Sequence, residues 1–343
     1  MISFSQAMQR IVERQSLTEE EMVTLMRLMM SGGATPAQIG GLLTGLAVKG
    51  ESTDELVGAV RVMREMAVAV DVSTQSLVDT CGTGGDGSRT FNISTAAALV
   101  VAAAGGRVAK HGNRAVSSRS GSADVLEAAG VCLDLQPEQL ARCIDTLGVA
   151  FLFAPMHHKA THYVASIRRE LGVRTLFNLL GPMTNPARAP FQVLGVYAMR
   201  WLRPVAEVLQ RLGSQRVMVL HSEDGMDEVS LSAPTGIVEL KAGVLKEYSV
   251  TPETFGMVRA DRQCLEVQSV SESLEKMRLG LSDRGGALSD IVALNAGASL
   301  YISGCCGSWQ QGVQLAQDVQ AGGQALEKLR ALVDFTQACV RTD

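Results

Sequence analysis

Aromatic residues make up only 4% of this 343-residue chain, although 46% of it is hydrophobic. That scarcity argues against an aromatic-rich β-sandwich and for close packing of helices and loops, with 34 glycines and 15 methionines to serve it. Long apolar runs are missing. The longest, residues 96–104, has nine residues, whereas a membrane span needs about 20. The opening MISFSQAMQR has neither the cationic start nor the apolar stretch of a secretion signal, which sets the expectation of a cytoplasmic protein. Paired cysteines are missing too. Seven occur, an odd number with no C-x-x-C, so neither a disulfide framework nor a cysteine zinc site is indicated. There is no excess of positive charge. Lys and Arg total 31 against 35 Asp and Glu, a net charge of −4, which argues against a nucleic-acid binder. The apolar content excludes disorder, and the length suits one large domain or two.

One local deficit points elsewhere. Residues 87–123 contain no Asp or Glu, yet hold Arg89, Arg107, Lys110, Arg114 and Arg119. Five positive charges in an acidic chain form either an anion site or a solvated basic face.

The first 70 residues predict amphipathic helices. Thr18-x-x-Glu21, Thr35-Pro36-x-Gln38 and Ser52-x-x-Glu55 are capping boxes ahead of apolar residues at helical spacing. The stripe of Met22, Leu25, Met26 and Met29 is expected to be core. After Asp71, short strands at 77–79, 107–110, 149–153 and 217–220 alternate with helices at 92–104, 122–129, 137–147 and 202–212. A further β segment is expected near 236–240, with helices near Ser271, Ser289 and Gln314. The alternation predicts an α/β domain with a mostly parallel sheet.

Gly82, Gly84 and Gly87 satisfy G-x-G-x-x-G after the first strand, but no acid follows about 20 residues on, so a dinucleotide site is disfavoured. Glycines still let the backbone approach an anion, and Asn92, Ser94 and Thr95 add donors at a helix start. The polar loop after Lys110, rich in serine, suits a polyphosphate with bound metal. Asp227 and Glu228 follow the strand 217–220 within a run of acids. Hard oxygen donors there suit Mg²⁺ shared with substrate phosphates; the plain alternative is an acidic surface loop. His158 and His162 have H-x-x-x-H spacing, but Lys159 stands where a zinc protease has glutamate. Arg168 suits a planar carboxylate.

Taken together, G-T-G-G-D, F-N-I-S-T, K-H-G-N-R-A-V-S-S, R-T-L-F-N-L-L-G-P-M-T-N-P and G-M-D-E, in that order, resemble the anthranilate phosphoribosyltransferases of tryptophan biosynthesis. The resemblance implies a small N-terminal helical domain, 1–72 joined by roughly 173–190, and a larger α/β domain of 73–172 and 191–343. It implies a homodimer formed through the helical domain, and transfer of phosphoribose from 5-phosphoribosyl 1-diphosphate (PRPP) to the amine of anthranilate, with Mg²⁺, two ions per subunit. PRPP would be bound by Gly82, Gly85, Asp86, Thr90, Asn92, Ile93, Ser94, Thr95, Lys110, His111, Gly112, Asn113, Arg114, Ala115, Val116, Ser117, Ser118 and Ser122. Anthranilate would meet Gly82, Asn113 and Arg168, with His158 and Pro182 lining its tunnel. Ser94, Asp227 and Glu228 would hold the metal. No covalent nucleophile or general base is implied, and neither nucleic acid nor membrane is a partner.

This chain departs from the family in places. Lys159 and Ser166-Ile167 replace a Pro after the histidine and a Pro-Val before the arginine, and 263–274 lacks the usual Gly-Gly-Asp and Asn. Two rival functions remain: a pyrimidine nucleoside phosphorylase, which shares G-T-G-G-D but has a different lysine loop, and a non-catalytic nucleic-acid-binding paralogue.

Overall fold

Local chemistry starts the fold. In the computed structural model, which describes residues 2–115, 119–284 and 286–341, helices Phe4–Val12, Glu19–Met30, Pro36–Lys49 and Thr53–Met66 all begin with capping boxes. At each, the cap hydroxyl accepts an N–H of the first turn while the Gln or Glu three residues on accepts the cap's own N–H, so two orphan donors are satisfied. The methionine stripe is buried as expected. Met22, Met26 and Met29 share one apolar cluster with Leu42, Leu46 and Leu56, and with Leu176, Phe177, Leu180 and Met183 from far along the chain.

The remainder is built on a seven-stranded sheet: β1 Leu77–Gly82, β2 Arg107–Gly112, β3 Val149–Phe153, β4 Phe191–Gly195, β5 Arg216–Ser222, β6 Thr235–Lys241 and β7 Val244–Val250. Their order is β3-β2-β1-β4-β5-β6-β7. The first five strands run parallel, and β6 and β7 are antiparallel. The result is a small N-terminal helical domain and a large α/β domain. Two strands, β4 and β7, are additions to the sequence reading, as is the helix Gln324–Arg341. Helices Ile93–Ala103 and Ala287–Ile302 are almost wholly buried, which accounts for the alanine and small-residue content. No helix among the described residues is long and apolar enough to cross a membrane.

The strand order reverses between β1 and β4, because β2 and β3 extend the sheet one way and β4 to β7 the other. Ligand sites in open α/β sheets lie at such a point, beyond the carboxyl ends of the strands. Gly82 and Gly195 are paired there. A Cβ on either would collide with Asp227, on its carboxylate or its carbonyl. Two glycines in register therefore make room for the acid loop above the sheet.

Candidate active site

Three chain segments converge on the switch point. From the acid loop, Asp227 Oδ2 accepts the Gly84 N–H at 2.7 Å, and the Asp227 N–H donates to Asp86 at 3.3 Å. Glu228 Oε1 accepts the Ser94 N–H at 3.1 Å, at the start of the Ile93–Ala103 helix. From β2, Lys110 Nζ donates to the Thr80 carbonyl at 2.5 Å and to Ser94 Oγ at 3.3 Å. Thr80 Oγ1 in turn donates to the Ser94 carbonyl. The glycine loop, Lys110 and the acid pair, which lie up to 146 residues apart in sequence, thus form one site.

Its electrostatics are unbalanced. Burial drives the Asp227 carboxyl well above the ordinary range, and the charges of Asp86 and Glu228 add to the effect. Burial also raises Glu228, against the pull of Lys110. Burial lowers the Lys110 ammonium, while Asp79 opposes that shift. Asp79 lies beneath, fully buried in β1, where Oδ1 accepts the His111 N–H at 3.2 Å. More carboxylate than ammonium surrounds the site, and hard oxygen donors with unmet negative charge fit a divalent cation. No group of three His, Cys, Asp or Glu side chains among the described residues is placed to hold a metal by itself.

The glycine loop is shaped for anions. Gly84, Gly85 and Gly87 have φ of 61°, 70° and 77°, a conformation that aligns successive amides. The N–H groups of Gly85, Asp86 and Gly87 meet no acceptor among the described residues. Thr90 pairs with Glu266 in an isolated bridge. Asn92 caps its helix without a side-chain bond to it; its Oδ1 instead accepts from Ser120 Oγ and Ser273 Oγ, both at 2.8 Å. Ile93 and Thr95 are buried beside it, and Thr95 Oγ1 has no partner among the described residues.

The acid-free stretch is not one surface. Arg107 begins β2, at the opposite end of the sheet from the site, and pairs with Asp145 at 2.8 Å. Arg114 pairs with Asp124 and Glu127 at 3.1 and 2.7 Å. Around it, Gly112 ends β2, and Asn113 offers its carbonyl to Ser122 Oγ at 3.2 Å. Ala115 donates its N–H to Asp124. Val116, Ser117 and Ser118 lie outside the described residues.

A second cluster flanks the first. His111 and His158 are buried with their rings edge to face at 5.2 Å. Thr184 lies 3.4 Å from His158 Nε2, and Pro182 is buried nearby, its carbonyl accepting from Gln192 at 2.6 Å. His158 and His162 do not share a helix face: a short 3₁₀ turn, Lys159–Thr161, separates them, leaving His158 buried and His162 exposed against Tyr163. On the helix His162–Leu171, Arg168 is half-buried, its guanidinium 5.0 Å from the Phe177 ring centre. It has no hydrogen bond or ion pair among the described residues. Burial alone lowers its pKa. A desolvated cation without an anion is placed to receive one.

Two supporting residues escaped the sequence reading. Asn295 accepts the Val229 N–H at 2.9 Å and returns a bond to the Val229 carbonyl at 3.1 Å, fixing the strand of chain after Glu228. Ser273 holds Asn92. Asn295 sits in an apolar helix and Ser273 in an amphipathic one, and neither pattern shows more than packing.

Comparison with known proteins agrees with this arrangement. Residues 5–67 match the helical bundle domain of a glycosyl transferase family, and 74–326 match its a/b domain. The anthranilate phosphoribosyltransferase of Thioalkalivibrio sulfidiphilus is 57% identical over 338 residues, covering 98% of this chain and 100% of that one. The crystal structure of the Thermus thermophilus enzyme of the same name is 45% identical, covers 96% of this chain and 99% of that one, and superposes with a TM-score of 0.91. The Saccharomyces cerevisiae enzyme, solved in complex with PRPP and Mg, is 23% identical over 98% of this chain and 94% of that one, and shares the fold with a TM-score of 0.83. By sequence over its full length and by architecture, this chain belongs to the anthranilate phosphoribosyltransferases.

Proposed function

We propose that PRPP and anthranilate meet above Gly82, with the diphosphate against the glycine-loop amides and the anthranilate carboxylate on Arg168. The observation that carries this is the convergence of free loop amides, Lys110 and the acid pair at the β1–β4 switch. PRPP would contact Gly85, Asp86, Thr90, Asn92, Ile93, Ser94, Thr95 and Lys110, the chain from His111 to Ser118, and Ser122. Asn113 and Gly82 would lie between the two substrates. His158 and Pro182 would line the anthranilate side.

Ser94, Asp227 and Glu228 would hold Mg²⁺, two ions per subunit; the presence of Mg beside PRPP in the yeast enzyme supports the metal itself. When bound, it would neutralise charge on the diphosphate. The chain's own part is positional. Lys110 and the loop amides stabilise the departing diphosphate. The bond from ribose C1 to diphosphate oxygen breaks, its electron pair leaving with the diphosphate. The amine lone pair forms the new C1–N bond, and the amine proton passes to water or diphosphate. The arylamine is a neutral nucleophile, so Arg168 orients it and no base is needed.

Residues 1–72 with 173–190 form one body in this reading, since Leu176, Phe177, Leu180 and Met183 pack into the helical cluster. Val12 and Val48, 77% and 73% exposed on helices of that body, support a homodimer formed there. The seven cysteines form no disulfide with one another, which suits the reducing cytoplasm. The test is loss of anthranilate fluorescence on adding PRPP and Mg²⁺, abolished by EDTA. Constant fluorescence, or full turnover in EDTA, overturns the reading.

A further inference from the structure

The glycine loop has few means of holding itself. Three glycines in the left-handed region leave its backbone a choice of conformations, and its central amides are unpaired. It is held from outside. Thr83 is tied to β4 and the segment after it: its N–H donates to the Gly195 carbonyl at 2.9 Å, and its Oγ1 accepts the Tyr197 N–H at 3.0 Å. Asp227 holds Gly84, but in the reading above that carboxylate also serves the metal. Beyond Gly84, Asp86 accepts the Asp227 N–H from the same acid loop, and a further contact comes from a third part of the molecule. Arg174, just after the Arg168 helix, donates Nη2–H to the Gly85 carbonyl. Its guanidinium lies 4.6 Å from the centre of the Tyr197 ring, which is stacking distance for a cation on an aromatic face.

The direction of this bond matters. It takes up a carbonyl of the loop and none of its N–H groups. The Gly85 carbonyl and the Asp86 N–H belong to one peptide unit, so a charged donor on the oxygen polarises the N–H towards a second partner. Tyr197 fixes the guanidinium and, through its own N–H, the neighbouring Thr83. We propose that Arg174 is a positioning residue for PRPP: stacked on Tyr197, it holds the glycine loop by the Gly85 carbonyl so that the loop amides face the diphosphate. This rests on the assignment of PRPP to that loop.

Arg174 is exposed, so its replacement leaves the core untouched. Calorimetric binding of PRPP with Mg²⁺ needs no anthranilate, and it is read beside the KM of each substrate. Arg174→Met is expected to weaken PRPP binding and raise the PRPP KM about tenfold, the scale of a lost bond to a charged group, with the anthranilate KM within about twofold of wild type. Arg174→Lys keeps the charge without the planar fork and should recover part of the loss. Tyr197→Phe keeps the ring and should bind as wild type, whereas Tyr197→Leu should weaken PRPP binding as Arg174→Met does. Unchanged PRPP affinity in Arg174→Met overturns the proposal, as does an equal rise in both KM values together with a lower melting temperature. Wild-type protein that binds PRPP yet leaves anthranilate unchanged refutes the acceptor assignment; the Arg174 proposal is then decided by the binding data. Wild-type protein that does not bind PRPP overturns both.

Discussion

Arg168 and His158 meet the same constraint, burial, with opposite consequences. A guanidinium stays charged under any desolvation a protein imposes, so Arg168, half-buried on Phe177 with no anion beside it among the described residues, is proposed to receive the anthranilate carboxylate. Arg168→Ala should raise the anthranilate KM by tenfold or more, the order of ~1.5–3 kcal/mol for a charged hydrogen bond, and leave the PRPP KM within about twofold. Initial rates with each substrate varied in turn would show it, and equal rises would refute the role. An imidazole, by contrast, sheds its proton. Burial, then the neighbouring His157, lowers His158 from 6.5 to about 4. The unfolded chain therefore binds the proton more readily than the folded one between those values, so stability is full above pH 6.5 and falls as the pH drops towards 4. The difference in unfolding free energy between wild type and His158→Gln should change by up to ~3 kcal/mol across that window, in denaturant titrations at pH 7.5 and 4.5. A constant difference would mean that His158 is not buried neutral. Above pH 6.5 its charge is already absent, and the anthranilate KM should show no dependence on this residue's titration.

Elements are fixed by residues that do two jobs at once, and Glu55 is the sharpest case. The capping box places it three residues after Ser52, which the sequence shows. Its burial is not visible there. The side chain is 1% exposed, accepts the Leu17 N–H at 2.9 Å and the Ser52 N–H at 2.8 Å, and pairs with the 5% exposed Lys49 ammonium at 3.0 Å. One carboxylate ties three helices together. Glu55→Ala would leave a buried ammonium and two unpaired amides, and should cost about 3–5 kcal/mol; Glu55→Gln keeps acceptor capacity and should cost less. Denaturant midpoints for the two variants would decide, and a cost under ~1 kcal/mol for Glu55→Ala would mean that the site floods with water. The same limit explains what else the sequence conceals. Caps and alternating helices were legible because their signals are local. β4, FQVLG, carries no alternation because it is a central parallel strand buried on both faces. β7 was hidden by its turn: Ala242 and Gly243 have φ of 51° and 77°, a pair where the usual cue is Asn-Gly or Asp-Gly. In the site, the glycine loop, Lys110 and the acid pair stood out by residue type. Asn295 and Ser273 did not, since a polar residue on the buried side of a helix signals its partner only once the partner is in place. The acid-free stretch misled in part, because Arg107 lies at the far end of the strand that carries Lys110.

For the whole molecule, the decisive quantity is the charge held at one sheet end. Asp86, Asp227 and Glu228 gather around a single ammonium, and burial already presses both Asp227 and Glu228 towards the protonated form. In the proposed site the described residues offer a cation no group of three His, Cys, Asp or Glu side chains, and offer PRPP the Lys110 ammonium. Each needs the other, so their effects on stability should exceed the sum of the parts. Mg²⁺ alone should raise the melting temperature little, PRPP alone little, and the two together by several degrees, since a ligand at about 100 times its Kd adds ~2.7 kcal/mol. The combined shift should shrink in the double variant Asp227→Asn, Glu228→Gln, which keeps the shape of the loop and lacks the charge. Thermal melts with each component alone and with both are sufficient. Equal shifts from PRPP with and without Mg²⁺ would show that the acid pair plays no part in holding the metal. A shift in the double variant as large as in wild type would move the metal to other oxygens. With both ligands at the reversal of strand order, as proposed, filling that site would join the glycine loop, the acid loop and the Lys110 strand through one shared set of charges.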